Sequence, residues 1–301
     1  MKNIILYAYY KGDNDGEVAL DFFLKYGVKE HPDYDYYFIN SGEPTTQKIP
    51  SFFTIINRAN IAYDFGAWSD AILSIDTRKY DYFIFLNNSS IGPCMPRYLK
   101  NIFWPELFYK HIDEKIKLVG CTTNFDGMEH IQSYVFCVDI IGLNILINNK
   151  IFAKNLIKNK KEVIEDCEMK MLYYIKKDGY DGYTFETVRN YDNKQKIING
   201  NLSDGKYFKD NYYHEISPYE VIFVKQRLNH TNNALLFYLK SMNIELVKPE
   251  IIKSEVINKY SKLPTINLST IKNDNEINNN VKIIAPQNKI ENNIIKKYLI
   301  R

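Results

Sequence analysis

The sequence is short of cysteine, of glycine-rich turns, of long apolar runs and of any excess of one charge. Each shortage removes a class of protein. Only four cysteines occur, Cys94, Cys121, Cys137 and Cys167, and no two of them form a CxxC pair. That excludes a disulfide-dense scaffold and argues against a structural zinc site. No apolar run reaches the roughly 18 residues that a membrane-spanning helix needs. The opening MKNIILYAYYKGDND has a short apolar stretch and no small-residue cleavage site, so it reads as a first β-strand and not as a signal peptide. Basic residues number 39 against 36 acidic ones, a net charge of +3. A dedicated nucleic-acid binder normally carries a larger basic excess to neutralise phosphates. No GxGxxG follows the first strand, which disfavours a methyltransferase or another cofactor-cradling Rossmann-like enzyme.

What remains is a 301-residue chain, 45% hydrophobic and 25% charged. That is enough for one large α/β domain or two small ones. Tyrosine and phenylalanine are abundant, at 25 and 17 residues. Such rings suit sugar and base sites, but an Asn-, Lys- and Ile-heavy composition typical of AT-rich genomes raises the same residues.

Period-2 and period-3.6 patterns organise the first 180 residues. Strands are expected over 3–9 (NIILYAY), 34–41 (YDYYFINS), 52–56, 80–90 (YDYFIFLNNSS), 116–121 and 133–140, the last opened by His130-Ile131-Gln132. Helices are expected over 16–26, closed by Gly27, over 64–73, and over 161–177, stopped by Gly179. Alternating strands and helices predict an α/β fold with a mostly parallel, Rossmann-like sheet covered on both faces. Ligands in such sheets bind beyond the carboxyl ends of the strands. Those ends are Tyr9-Tyr10-Lys11, Asn40-Ser41-Gly42 and Asn87-Asn88-Ser89. From about residue 231 the texture changes, and 271–301, with NDNEINNN at its centre, reads as a poorly packed tail. Its basic end, IIKKYLIR, suits either a last docked helix or peripheral contact with a membrane surface.

Four constellations carry candidate chemistry. In Arg58-Ala-Asn-Ile-Ala-Tyr-Asp-Phe-Gly-Ala-Trp68, the polar Arg58, Asn60 and Asp64 lie among apolar Ile61, Phe65 and Trp68. Asp64 falls at a helix N-terminus, where the dipole favours a carboxylate. The stretch reads either as a helix start over a buried Trp or as a corner that holds a base and ribose. Second, a buried strand ends in Asn87-Asn88-Ser89, neutral groups able to hydrogen-bond a ribose or diphosphate. Third, His130, Gln132 and Ser133 suit hydrogen bonds to sugar hydroxyls. Fourth, at 100° per residue Ile164, Cys167, Met171, Leu172 and Ile175 form an apolar stripe that contains Glu168, with Asp166 nearly opposite and Glu165 at the margin. A carboxylate there is either a salt-bridged core group or a cleft-facing general base.

Taken in order, these pieces resemble the rhamnan-synthesis protein F type of glycosyltransferase, a family that includes enzymes encoded by giant viruses. The matching residues are Tyr9-Tyr10, Asn60 to Trp68, Tyr82 to Ser90 with Gly92-Pro93, His130 to Tyr134, Glu168 followed by Gly179-Tyr180, and Ser217 to Lys225. They span about residues 3–227. The resemblance implies a GT-A domain over 1–230, with a nucleotide-sugar half (about 1–93) and a mixed acceptor half (about 94–230), followed by an extension over 231–301. It implies transfer of a sugar from a nucleotide-diphosphate donor to a glycan or other hydroxyl acceptor, with Glu168 as the base of an inverting reaction. Tyr9, Tyr10, Arg58, Asn60, Asp64, Asn87, Asn88, Ser89 and Lys225 would meet the donor, and His130, Gln132 and Ser133 the sugar or acceptor. The near-balanced charge implies no nucleic-acid partner, and a cytoplasmic site is expected, host cytoplasm for a viral member. Two departures stand out. Asn87 and Ser89 occupy the usual DxD positions, which leaves a divalent Mn or Mg ion in doubt, because neutral amides are weak ligands for hard cations. The last motif commonly begins His-Pro and here reads Ser217-Pro218, with His214 nearby. A non-catalytic binding protein that kept the fold is the alternative.

Overall fold

The computed structural model describes residues 1–12, 15–99, 101–125, 127–153, 159–186, 216–225 and 233–242. His214 and the tail beyond residue 242 lie outside these residues.

A seven-stranded sheet organises the chain. In chain order its strands are β1 (Asn3–Tyr9), β2 (Tyr34–Ser41), β3 (Phe53–Arg58), β4 (Tyr82–Asn87), β6 (Ile116–Gly120), β9 (Val135–Asp139) and β10 (Asp181–Thr184). Two short ladders stand apart, β5 (Ser90–Ile91) with β11 (Val224–Lys225), and β7 (Thr123–Phe125) with β8 (Glu129–Ile131). Across the large sheet the order is β10-β6-β9-β4-β1-β2-β3. β1 pairs in parallel with β2 and β4, β2 with β3, and β10 with β6, whereas β9 runs antiparallel to both β4 and β6. The mostly parallel α/β arrangement expected from the sequence is therefore observed.

Every residue of β1 is buried, as a central parallel strand requires. Its side chains alternate between two cores. Ile5, Tyr7 and Tyr9 pack with α1 (Asp15–Tyr26), α3 (Trp104–Tyr109), α7 (Pro218–Val221) and α8 (Asn233–Ser241). Ile4, Leu6 and Ala8 pack with α2 (Tyr63–Ser74), α4 (Ile140–Asn148) and α6 (Met169–Lys177). Both tryptophans are fully buried with their indole N–H satisfied: Trp68 donates to the Leu6 carbonyl at 3.2 Å and Trp104 to the Gly27 carbonyl at 2.7 Å. All four cysteines are buried and free. No helix among the described residues is long and apolar enough to cross a membrane.

Two expectations need correction. His130 does not open β9. It sits in β8, across a hairpin from Asn124, and only Ser133 and Tyr134 lead into β9. The helix expected over 161–177 is α5 (Lys160–Glu162), a π-helical turn over Val163–Glu168, then α6. The wider turn breaks the 100° stripe, so Val163 takes the buried place expected for Ile164, ahead of Cys167, Met171, Leu172 and Ile175.

Candidate active site

Because β9 is reversed, the carboxyl ends of β1, β2, β3, β4, β6 and β10 and the amino end of β9 share one edge, and the candidate residues gather there. The corner after β3 is held by Arg58. Its guanidinium donates to Asp70 Oδ2 at 2.7 Å, to Ser41 Oγ at 3.1 Å and to the Ile61 carbonyl at 2.6 Å. Arg58 is thereby committed to the protein. Ala62 and Tyr63 then take left-handed φ values of 58° and 53°, which costs non-glycine residues roughly 1–2 kcal/mol each. Gly66 is required here, since a Cβ would stand 2.1 Å from the Ile61 carbonyl oxygen. The corner delivers Asp64 to the first turn of α2. Asn60, in the same corner, is half-buried.

Asp64 Oδ2 accepts a 2.6 Å hydrogen bond from Asn87 Nδ2. The residue keeps partial exposure while its carboxyl group is surrounded by protein. Burial pushes its pKa up to about 6; the Asn87 bond opposes this, Glu168 adds to it, and Lys225 and Lys160 offset it. The charges of Glu168, Lys225 and Lys160 thus all bear on Asp64.

Asn87 Oδ1 in turn accepts from Ser89 N at 3.0 Å and Ser89 Oγ at 2.5 Å. Asn88 is a clamp between strand ends: its Nδ2 donates to the Tyr10 carbonyl at 2.7 Å and its Oδ1 accepts from Tyr10 N at 3.2 Å. The Tyr10 ring is half-exposed at the rim. Tyr9 points to the opposite face, where its hydroxyl donates to Glu17 Oε1 at 2.5 Å. Glu17 also accepts from Thr45 Oγ1 and from Thr46 N and Oγ1, which pins the loop after β2.

A divalent cation does not fit this donor set. The Asn87 amide oxygen is taken by Ser89, and both polar atoms of the Asn88 amide are taken by Tyr10. The carboxylate beside them is Asp64, itself bonded to Asn87. Hard cations favour several unengaged, charged oxygens. No group of three or more His, Cys, Asp or Glu poised to hold a metal occurs among the described residues.

Glu168 lies at the end of the π-helical turn, with a side chain 13% exposed. Its Oε2 accepts from the Ser133 backbone N–H and from Ser133 Oγ. Its Oε1 stands 3.8 Å from His130 Nε2, while His130 Nδ1 bonds the Met128 carbonyl at 3.1 Å. If Nδ1 carries the proton toward that carbonyl, Nε2 is the nitrogen presented to Glu168. Gln132 is buried and accepts from Thr122 Oγ1 at 2.9 Å; the same Thr122 oxygen meets the Tyr134 hydroxyl at 2.9 Å. Lys225 places its Nζ 6.0 Å from the Tyr134 ring centroid. The arrangement thus brings Asp64, Asn87, Ser89, Ser133, His130, Glu168 and Lys225 to one edge.

Two charged residues of this edge were not found from the sequence. Lys160 opens the helix that leads to Glu168. Glu186, 2% exposed just after β10, accepts from Thr123 N at 2.8 Å. The run Gly182-Tyr183-Thr184-Phe185, alternating small and aromatic residues, is the signal that would have located β10 and hence its carboxyl end.

No protein-family model and no curated protein sequence matches the chain. Among solved structures, it is similar to a mannosyltransferase from Pyrobaculum calidifontis in complex with GDP-Man and Mn2+ (12% identity, TM-score 0.37, covering 60% of this chain and 53% of that one). It is also similar to a glycosyltransferase involved in the glycosylation of the major capsid of PBCV-1 (14% identity, TM-score 0.36, 61% and 81%). A third is the glycosyltransferase GlyE of Streptococcus pneumoniae (14% identity, TM-score 0.35, 60% and 44%). The chain thus spans about half the length of the first and less than half of the third. These likenesses are distant, and the reading of the site rests on its own geometry.

Proposed function

We propose that the chain is a glycosyltransferase that moves a sugar from a nucleotide-diphosphate donor to a glycan or other hydroxyl acceptor, with inversion at the anomeric carbon. The observation that carries this reading is the Glu168 carboxylate. It is oriented by Ser133, flanked by His130 and set close enough to Asp64 for the two charges to interact at the ligand-binding edge of an α/β sheet. A fixed, largely enclosed carboxylate is what a general base needs. The acceptor O–H gives its proton to Glu168, the oxygen bonds to the anomeric carbon, and the bond from that carbon to the β-phosphate oxygen breaks with its electron pair leaving on the nucleoside diphosphate. Asp64 and Asn60 hold the nucleoside in a corner fixed by Arg58. Asn87 and Ser89 face the ribose and diphosphate, Asn88 locks Tyr10 at the rim, and His130, Gln132 and Ser133 shape the sugar side. The motif order, resembling that of rhamnan-synthesis F-type enzymes, supports the same roles, the division into halves at about residue 93 and action in the cytoplasm.

The test is release of nucleoside diphosphate from a panel of nucleotide sugars, with glycan acceptors, in EDTA and in added Mn²⁺. Release from one donor, lowered about 10²–10⁴-fold in kcat by Glu168→Gln with donor KM little changed, is the expected result. Full activity of Glu168→Gln removes the base assignment. The engaged, uncharged strand end favours one alternative, a non-catalytic sugar-nucleotide-binding protein, and donor binding without release under every condition would establish it.

A further inference from the structure

Resting on the transferase reading, the structure raises the question of what balances the diphosphate's charge. When the glycosidic bond of a nucleotide sugar breaks, the departing diphosphate gains negative charge, and something positive must sit beside it. The strand end where a metal would be held presents a hydrogen-bonded amide pair instead.

Two lysines from different parts of the chain have charges that act on Asp64. Lys225 is held by the β5–β11 ladder, opposite Ser90 in register, and so stands directly beyond the Asn87-Asn88-Ser89 turn. Its Nζ lies by the Tyr134 ring, next in sequence to the Ser133 that orients Glu168. Lys160 begins α5 and is solvent-exposed, on an open pocket of about 410 Å³ that it lines with Lys161, Ile164, Glu165 and Met169 and that lies on the outer side of the turn leading to Glu168. Lys161 is already paired with Glu165 at 3.6 Å. The π-helical turn that follows Lys160 ends at Glu168 and packs against α2, the helix that begins at the Asp64 corner.

We infer that Lys160 and Lys225 together form the diphosphate-binding cation pair of this site, and that donor binding needs no divalent metal. Both lysines already offset the charge of Asp64. Lysine acts on phosphate as a mobile point charge, which suits a leaving group whose charge grows during the reaction.

The test uses the full chain and isothermal titration of inorganic pyrophosphate and of ADP, CDP, GDP, UDP and dTDP, in EDTA and in Mn²⁺. The expected result is binding of pyrophosphate and at least one nucleotide in EDTA, within about twofold of the affinity in Mn²⁺. Lys160→Ala and Lys225→Ala each weaken it about tenfold, and added salt weakens it further. Lys160→Arg retains most of the affinity. Lys110→Ala, a charge-matched change just after α3, leaves it unchanged. If either alanine variant fails to fold by its thermal midpoint, Lys160→Met or Lys225→Met replaces it. Binding that appears only with Mn²⁺ overturns the inference and leaves the transferase reading standing. So does unchanged affinity in both lysine variants. No binding of any probe, with or without Mn²⁺, overturns the inference and the transferase reading together.

Discussion

Replacing Asp64 by asparagine should make the protein more stable at neutral pH while it abolishes donor binding. The carboxyl group is raised from an ordinary 3.8 to about 6, chiefly by burial. The folded chain therefore holds this proton more tightly than the unfolded one. The contribution favours folding fully below about pH 4 and is lost as pH rises through about 6. At 1.36 kcal/mol per pH unit the ionised carboxylate costs the fold up to about 3 kcal/mol at pH 7. Retained solvent exposure of the residue lowers that toward about 1–2 kcal/mol. An asparagine keeps an acceptor for the Asn87 amide, so the 2.6 Å hydrogen bond survives in kind. Guanidinium unfolding of both proteins at intervals from about pH 4 to pH 8 measures the difference. The wild-type curve should fall relative to the variant by about 1–3 kcal/mol over that range, with the two close to equal at the acid end. Parallel curves across the range would refute the argument that Asp64 is held ionised against its environment. A group that destabilises its own fold is one retained for binding, so the same variant should lose nucleotide affinity.

Further predictions concern the supports of the site. Lys117 and Asp139 pair at 2.8 Å with side chains only 8% and 13% exposed, and Lys117 also donates to the Asp113 carbonyl. Lys117→Met strands a buried carboxylate and should lower stability by about 3–5 kcal/mol in denaturant melts, with donor affinity little changed at temperatures where the protein stays folded. Gly16→Ala would put a Cβ 2.1 Å from Asn88 Nδ2. It should cost about 1–3 kcal/mol and weaken donor binding by pushing the Asn88 clamp off Tyr10. In an Asn88→Ala background the same change should cost much less, and additivity in that double-mutant cycle would show that the clamp is not what Gly16 serves.

Much of the framework was legible because periodicity reports burial directly. The strand expected over 34–41 is β2 residue for residue, and the helix expected over 64–73 differs from α2 by one residue at each end. Asp64 and Asn87 could be singled out because each is a polar residue at the margin of a strongly apolar run. Arg58 stood out for the same reason, but its role did not: only coordinates reveal that its guanidinium is spent on Asp70, Ser41 and the Ile61 carbonyl. Asn88 is similar, an amide whose bonds all turn back to Tyr10.

What the pattern could not carry is geometry that depends on a local departure from regular structure. A 100° stripe assumes 3.6 residues per turn, and the π-helical turn over Val163–Glu168 violates it. Glu168 nonetheless remains beside the apolar face, because it is the last residue of that turn and α6 resumes the regular spacing through Met171, Leu172 and Ile175. The turn thus separates Ile164, left partly exposed at the pocket, from Glu168, directed to Ser133 and His130. The reversed strand β9 does the complementary work. Entered from the carboxyl edge of its neighbours, it brings Ser133 and Tyr134 beside the Asn87 strand end, with Tyr134 accepting from Asn87 N at 3.1 Å. Neither a π-turn nor an antiparallel strand is favoured by composition here. Each is held by packing on both sides, and each places one half of the Ser133–Glu168 contact. A mutation that straightened the π-turn, such as deletion of Glu165, should therefore spare the sheet and its thermal midpoint more than it spares turnover.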